Sequence, residues 1–119
     1  MPDIDRTVDI KVAAAKGTVT AQIPLAGHAS EYWLEVFRQR APAHTAELRI
    51  QAEDPEAEQR EDRTWVVVRL SSAHPDYPER ILDAARALIS EVNGIEQQFQ
   101  SSAAQIEATV RGWWARQEQ

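Results

Sequence analysis

Three histidines, His28, His44 and His74, are the side chains of this 119-residue chain whose ordinary chemistry lies nearest neutral pH. Two of them stand in matched settings. His28 comes just before Ser30 and His74 just before Asp76, each ahead of a segment with helical spacing. Ser and Asp at such positions act as helix N-caps, and helix N-termini attract anions. His28, Ser30, His74 and Asp76 therefore form the candidate ligand-binding set, suited to an anion or, with Asp76 as a third ligand, a metal. The plainer reading makes each histidine an exposed turn residue, and His44, which follows Pro42, reads as surface. Glu31, Tyr32 and Tyr77 lie close in sequence to the two histidines, but proximity of types without geometry does not make an acid–base site. No Gly-x-Ser-x-Gly, His-Glu-x-x-His or Gly-x-x-x-x-Gly-Lys pattern occurs. There is no cysteine to serve as nucleophile or zinc ligand. The expectation is a chain that is not an enzyme and carries no cofactor and no resident metal.

A second set of residues is chemically plainer and says more. Ile81, Ala85, Leu88, Val92, Ile95 and Phe99 follow one another in steps of four and three, and Ile106, Val110 and Trp113 resume the row after a weak patch at Ser102. A continuous helix from Pro78 to Arg116 would be about 58 Å long, whereas a compact domain of this size has a radius of gyration of ~13 Å. Asn93-Gly94 could serve as a C-cap that divides this helix, but the apolar phase passes through Gly94 unbroken and favours one piece. The chain is thus expected to be a single α+β domain over 1–119, with 95–119 as a distal helical extension. Ile95, Phe99, Ile106, Val110, Trp113 and Trp114 are the expected dimer interface. Adjacent tryptophans on a helix point about 100° apart, so one joins the row and the other widens it. The chain is expected to homodimerise through this helix or to use it on another protein.

The formal net charge is −6, and the segment 53–62 accounts for nearly all of it: Glu53, Asp54, Glu56, Glu58, Glu61 and Asp62 stand against Arg60 alone. This acidic segment reads as a solvated loop. Lys11 and Lys16 are the only lysines and the arginines are scattered, so no basic stripe is available for phosphates and nucleic acid is not expected as a partner. Neither a charged and apolar leader nor an apolar run of bilayer length is present, which makes a cytoplasmic setting without membrane contact the expectation.

The elements that must position these residues follow from periodicity. Val8, Ile10, Val12 and Ala14 alternate, as do Val19, Ala21, Ile23 and Leu25, around a Lys16-Gly17 turn. That turn sets Val8 opposite Leu25, Ile10 opposite Ile23, Val12 opposite Ala21 and Ala14 opposite Val19, with every apolar residue on one face. A helix is predicted from Ser30 to Arg40, stopped by Ala41-Pro42. A third strand is predicted over Ala46–Ala52, and a fourth over Thr64–Leu70, apolar on both faces and hence central. The order strand-strand-helix-strand-strand-helix equals a ferredoxin-like βαββαβ arrangement with its last strand moved to the front. It predicts a ββαββα two-layer sandwich on a four-stranded, antiparallel-type sheet of order 1-2-4-3, with both helices on one face and central strands two and four parallel to each other, which would bring His28 and His74 to one edge. Either Trp65 and Val67 or Val66, Val68 and Leu70 must lie on the open face of the sheet, where a partly apolar surface would suit a back-to-back dimer.

Overall fold

The computed structural model describes residues 2–15, 17–50, 52–71 and 77–117. Its elements are β1 Lys11–Ala15, β2 Thr18–Pro24, α1 Glu31–Glu47, β3 Glu56–Gln59, β4 Thr64–Ser71 and α2 Tyr77–Gln117. The strands form one sheet in the order β1-β2-β4-β3. The β1–β2 register is the expected one, Val12 opposite Ala21 and Ala14 opposite Val19, with Gly17 at φ +79° in the turn, a conformation glycine adopts without strain. The far end of that hairpin differs from expectation. Leu25 bridges Ile4 instead of Val8, because Asp5 turns the chain by binding the Thr7 hydroxyl and N–H, so residues 3–5 run beside 24–26. These Thr7 bonds, followed by the Arg63 guanidinium, hold the Asp5 carboxyl below its ordinary range.

The central pair β2–β4 is antiparallel, contrary to the parallel pairing inferred from sequence. The connectivity requires this direction. β2 runs one way, α1 returns, β3 repeats the direction of β2, and the tight β3–β4 connection reverses β4 as it inserts between them. Every neighbour in the sheet is consequently antiparallel, and β2 and β4 finish at opposite ends of the sheet.

Two further elements depart from the sequence reading. α1 does not stop at Pro42 but continues to Glu47, so the predicted strand 46–52 begins as the end of a helix, and no strand forms at 48–50 or 52, while Gln51 lies outside the described residues. Pro42 forfeits one helix hydrogen bond. The turn beyond it is held by His44, which bonds Glu91 of α2, by Leu48 and Ile50 packed on the core, and by the Arg80 guanidinium donating to the Leu48 carbonyl at 2.9 Å. The third strand lies instead inside the acidic segment, where Ala57 turns inward and Glu56 and Glu58 stand opposite Val67 and Trp65. A charged strand suits a sheet edge, and Arg69 and Arg60 lie close to its carboxylates.

The core lies between the sheet and both helices. Ala21, Ile23, Val66, Val68 and Leu70 meet Trp33, Val36 and Phe37 of α1 and Ile81, Ala85, Leu88, Ile89 and Val92 of α2. The Val66 row therefore faces inward. Trp65 and Val67 face the other way, yet Trp65 is only 1% exposed, with Lys11 and Arg60 standing 4.6 and 5.3 Å from the centre of its ring. The open face shows solvent charged groups in place of an apolar row, which removes the surface expected for a back-to-back sheet dimer.

α2 is one helix of 41 residues, about 62 Å long, and Gly94 lies within it without a break. It stretches the molecule to 70 Å in its longest dimension and raises the radius of gyration to 18.4 Å, against ~13 Å for a compact chain of this length. A methyl group added at Gly94 would meet nothing within 4 Å. Gly94→Ala is therefore expected to stabilise the fold by about 0.5–1 kcal/mol, read as a higher urea midpoint with an unchanged slope.

Candidate interaction surface

Of the candidate ligand set, His28 and Ser30 lie among the described residues. The reasoning that brought His28 and His74 together rested on parallel central strands, and β2 and β4 are antiparallel. His74 and Asp76 lie outside the described residues. His28 is a structural tie, since its Nε2–H donates to the Arg60 carbonyl at 2.8 Å and fastens the end of β2 to the β3–β4 turn. Beneath it Thr64, fully buried, accepts the Ala29 N–H at 2.8 Å and donates to Gln59, whose amide reaches the Ala29 carbonyl at 2.6 Å. Among the described residues no group of three or more His, Cys, Asp or Glu side chains could hold a metal ion.

Ser30 is the N-cap of α1, accepting the Trp33 N–H at 3.1 Å, and its hydroxyl donates to Glu96 of α2. The sequence places Trp33 where a capping box would put Glu or Gln; here a carboxylate from the other helix accepts the Ser30 hydroxyl, not its backbone N–H. Among the described residues Glu96 is the buried acidic side chain, and it lies at the N-terminal end of α1. One turn before it, Asn93 accepts the Trp33 indole N–H at 2.8 Å, and one turn after it Phe99 stacks on Tyr32 with ring centres 4.3 Å apart. Glu91 completes this seam between the helices by binding His44 and lying 3.8 Å from Arg40. Sequence reading passed over Glu96. Its signal was a carboxylate on the apolar row, four residues after Val92 and three before Phe99, where water cannot be its partner.

Beyond this seam none of the described residues covers α2. Every residue from Gln97 to Gln117 is exposed, a length of about 31 Å. Of the six residues expected at a dimer interface, Ile95 packs partly on the core and Phe99 leans on Tyr32. The other four, Ile106, Val110, Trp113 and Trp114, remain 52–64% exposed. At ~100° per residue they prolong the row that Leu88 and Val92 bury within the domain. The two indoles stand with ring centres 6.2 Å apart, widening the row as expected.

A second apolar surface lies on β1. Val12 and Ala14 face the same side as buried Ala21, yet β1 contacts β2 alone among the described elements, and Val12 is left 65% exposed. The two helices roof β2, β4 and β3 and stop short of this edge strand. No helix among the described residues is long and apolar enough to cross a membrane. Comparison with protein-family models, with curated proteins and with solved structures finds no match.

Proposed function

We propose that this chain is a protein–protein association module without catalytic activity, which forms a homodimer through the distal half of α2. The observation that carries this reading is the row Ile106, Val110, Trp113 and Trp114, presented in water on a helix that already buries the same row closer to its start. Each such side chain is worth roughly 1.5–3 kcal/mol when fully buried. Tryptophan is also the residue type most often found to dominate association energetics. The helix that carries the row is anchored in the core at its start, so its direction is set before association.

Sedimentation of the full chain over a range of concentrations tests the proposal. A reversible species of twice the 13.4 kDa chain mass is expected. Ile106→Glu places a charge at the middle of the row in both copies, and is expected to weaken association by about 100-fold or more while leaving the urea midpoint of the monomer unchanged. A chain that stays monomeric at sub-millimolar concentration, or a dimer indifferent to Ile106→Glu, refutes it.

A further inference from the structure

The distal helix is uneven in size along its length, and that unevenness bears on how two copies would meet. Near the domain it carries Ser101, Ser102, Ala103 and Ala104; at its middle, Ile106 and Val110; at its tip, Trp113 and Trp114. We propose that the two distal helices pack antiparallel about a two-fold axis, so that Trp113 of each copy sits on Ala103 of the partner subunit. This rests on the homodimer reading above and specifies its geometry.

Spacing by sevens divides the row in two. Phe99, Ile106 and Trp113 form one line; Glu96, Ala103, Val110 and Gln117 form the other. In an antiparallel pair each line packs against the other line of the second helix. A single axis near position 108 then sets Ala103 against the partner's Trp113, Ile106 against the partner's Val110, and Phe99 against the partner's Gln117. Large meets small at one end, medium meets medium at the centre, and the two exposed spans overlap from 99 to 117. The self-complementary surface closes after two copies.

A parallel pair would do the opposite. It would gather four indole rings at one level and leave only serine and alanine facing each other at another. Helices pack at one axial separation of about 8–10 Å, which cannot suit both levels. Charge offers no competing instruction, since Glu107, Arg111 and Arg116 are the only charged residues in 97–117 and Glu107 bonds Arg111 within its own helix at 2.9 Å.

The exposed face of β1 is the other apolar surface a second copy could use, but five residues of strand extend only about 17 Å. The helical row runs for about 31 Å, and only a second row of equal length covers it. Phe99, Trp113 and Trp114, each about half exposed, would bury roughly 100 Å² apiece. With Ile106, Val110 and the small patch the pair approaches the ~800 Å² per partner of a stable interface.

Exchange of the large and small residues tests the geometry. Ala103→Trp alone overfills the contact and Trp113→Ala alone empties it, so each is expected to weaken the dimer at least tenfold. The double variant A103W/W113A puts the two residues in each other's place and is expected to recover most of the loss. In a parallel pair the double variant would be no better than the worse single one. Because the chain has no cysteine, Gln98→Cys gives one clean position for a spin label. The antiparallel arrangement separates the two labels by about 30 Å, and the parallel one brings them within roughly 15 Å. A wild-type monomer overturns the association reading itself. A dimer with no rescue and a short label distance overturns only the antiparallel packing.

Discussion

A chain ending at Gln100 is expected to be a folded monomer. Residues 101–117 are exposed throughout, so their removal takes nothing from the core, while it deletes Ile106, Val110, Trp113 and Trp114 together. The shortened chain should unfold in urea within about 0.5 kcal/mol of the full-length monomer. It should also lose any rise of melting temperature with protein concentration, because that rise is the signature of association linked to folding. Where the cut falls decides what is measured. Ending the chain at Asn93 would also remove Ile95 from the core margin, Glu96 from Ser30 and Phe99 from Tyr32, and is expected to cost several kcal/mol of stability. A chain ending at Gln100 that still dimerises would move the interface to another surface, with β1 the next candidate. One that fails to fold would make the extension part of the domain.

Trp33→Ala is expected to remove about 3–5 kcal/mol of stability, a large share of the 5–15 kcal/mol typical of a whole domain. Trp33 is fully buried, lies 5.2 Å from Phe37 ring to ring, and joins the two helices through its indole bond to Asn93. Its backbone N–H meanwhile caps α1 on Ser30. The substitution leaves a cavity and strands the Asn93 carbonyl oxygen at once. Trp33→Phe separates the two effects, because it keeps most of the ring volume and loses only the indole donor; about 1–2 kcal/mol is expected. Urea unfolding followed by circular dichroism gives both numbers. A loss below about 1.5 kcal/mol for Trp33→Ala would mean that α1 is not docked through this side chain.

Much of the framework was legible because periodicity is local. The β1–β2 register follows from alternation on both sides of Gly17, the central place of β4 from its two apolar rows, and the unbroken α2 from a helical phase that ignores Gly94. The exposed row at Ile106, Val110, Trp113 and Trp114 was also there to be read, since a helix of that length cannot hide behind so small a body. Other features were hidden because distant residues decide them. α1 outlasts Pro42 because His44 and Leu48 find partners on other elements, and helix propensity contains no term for those contacts. β3 forms in an acidic segment with almost no strand character because β4 offers it an edge.

By itself the sequence determined which faces are apolar and how far each runs, since side-chain direction repeats with the backbone every 3.6 or every two residues. Only the tertiary structure decided what lies against each face. It roofed the Val66 row and left Val12 bare, and it buried Trp65 beneath Lys11 and Arg60. It also turned β4 against β2, where the sequence suggested parallel strands, and brought Glu96 to the cap of α1. Each of these depends on residues far apart in the chain, and no local repeat carries that information.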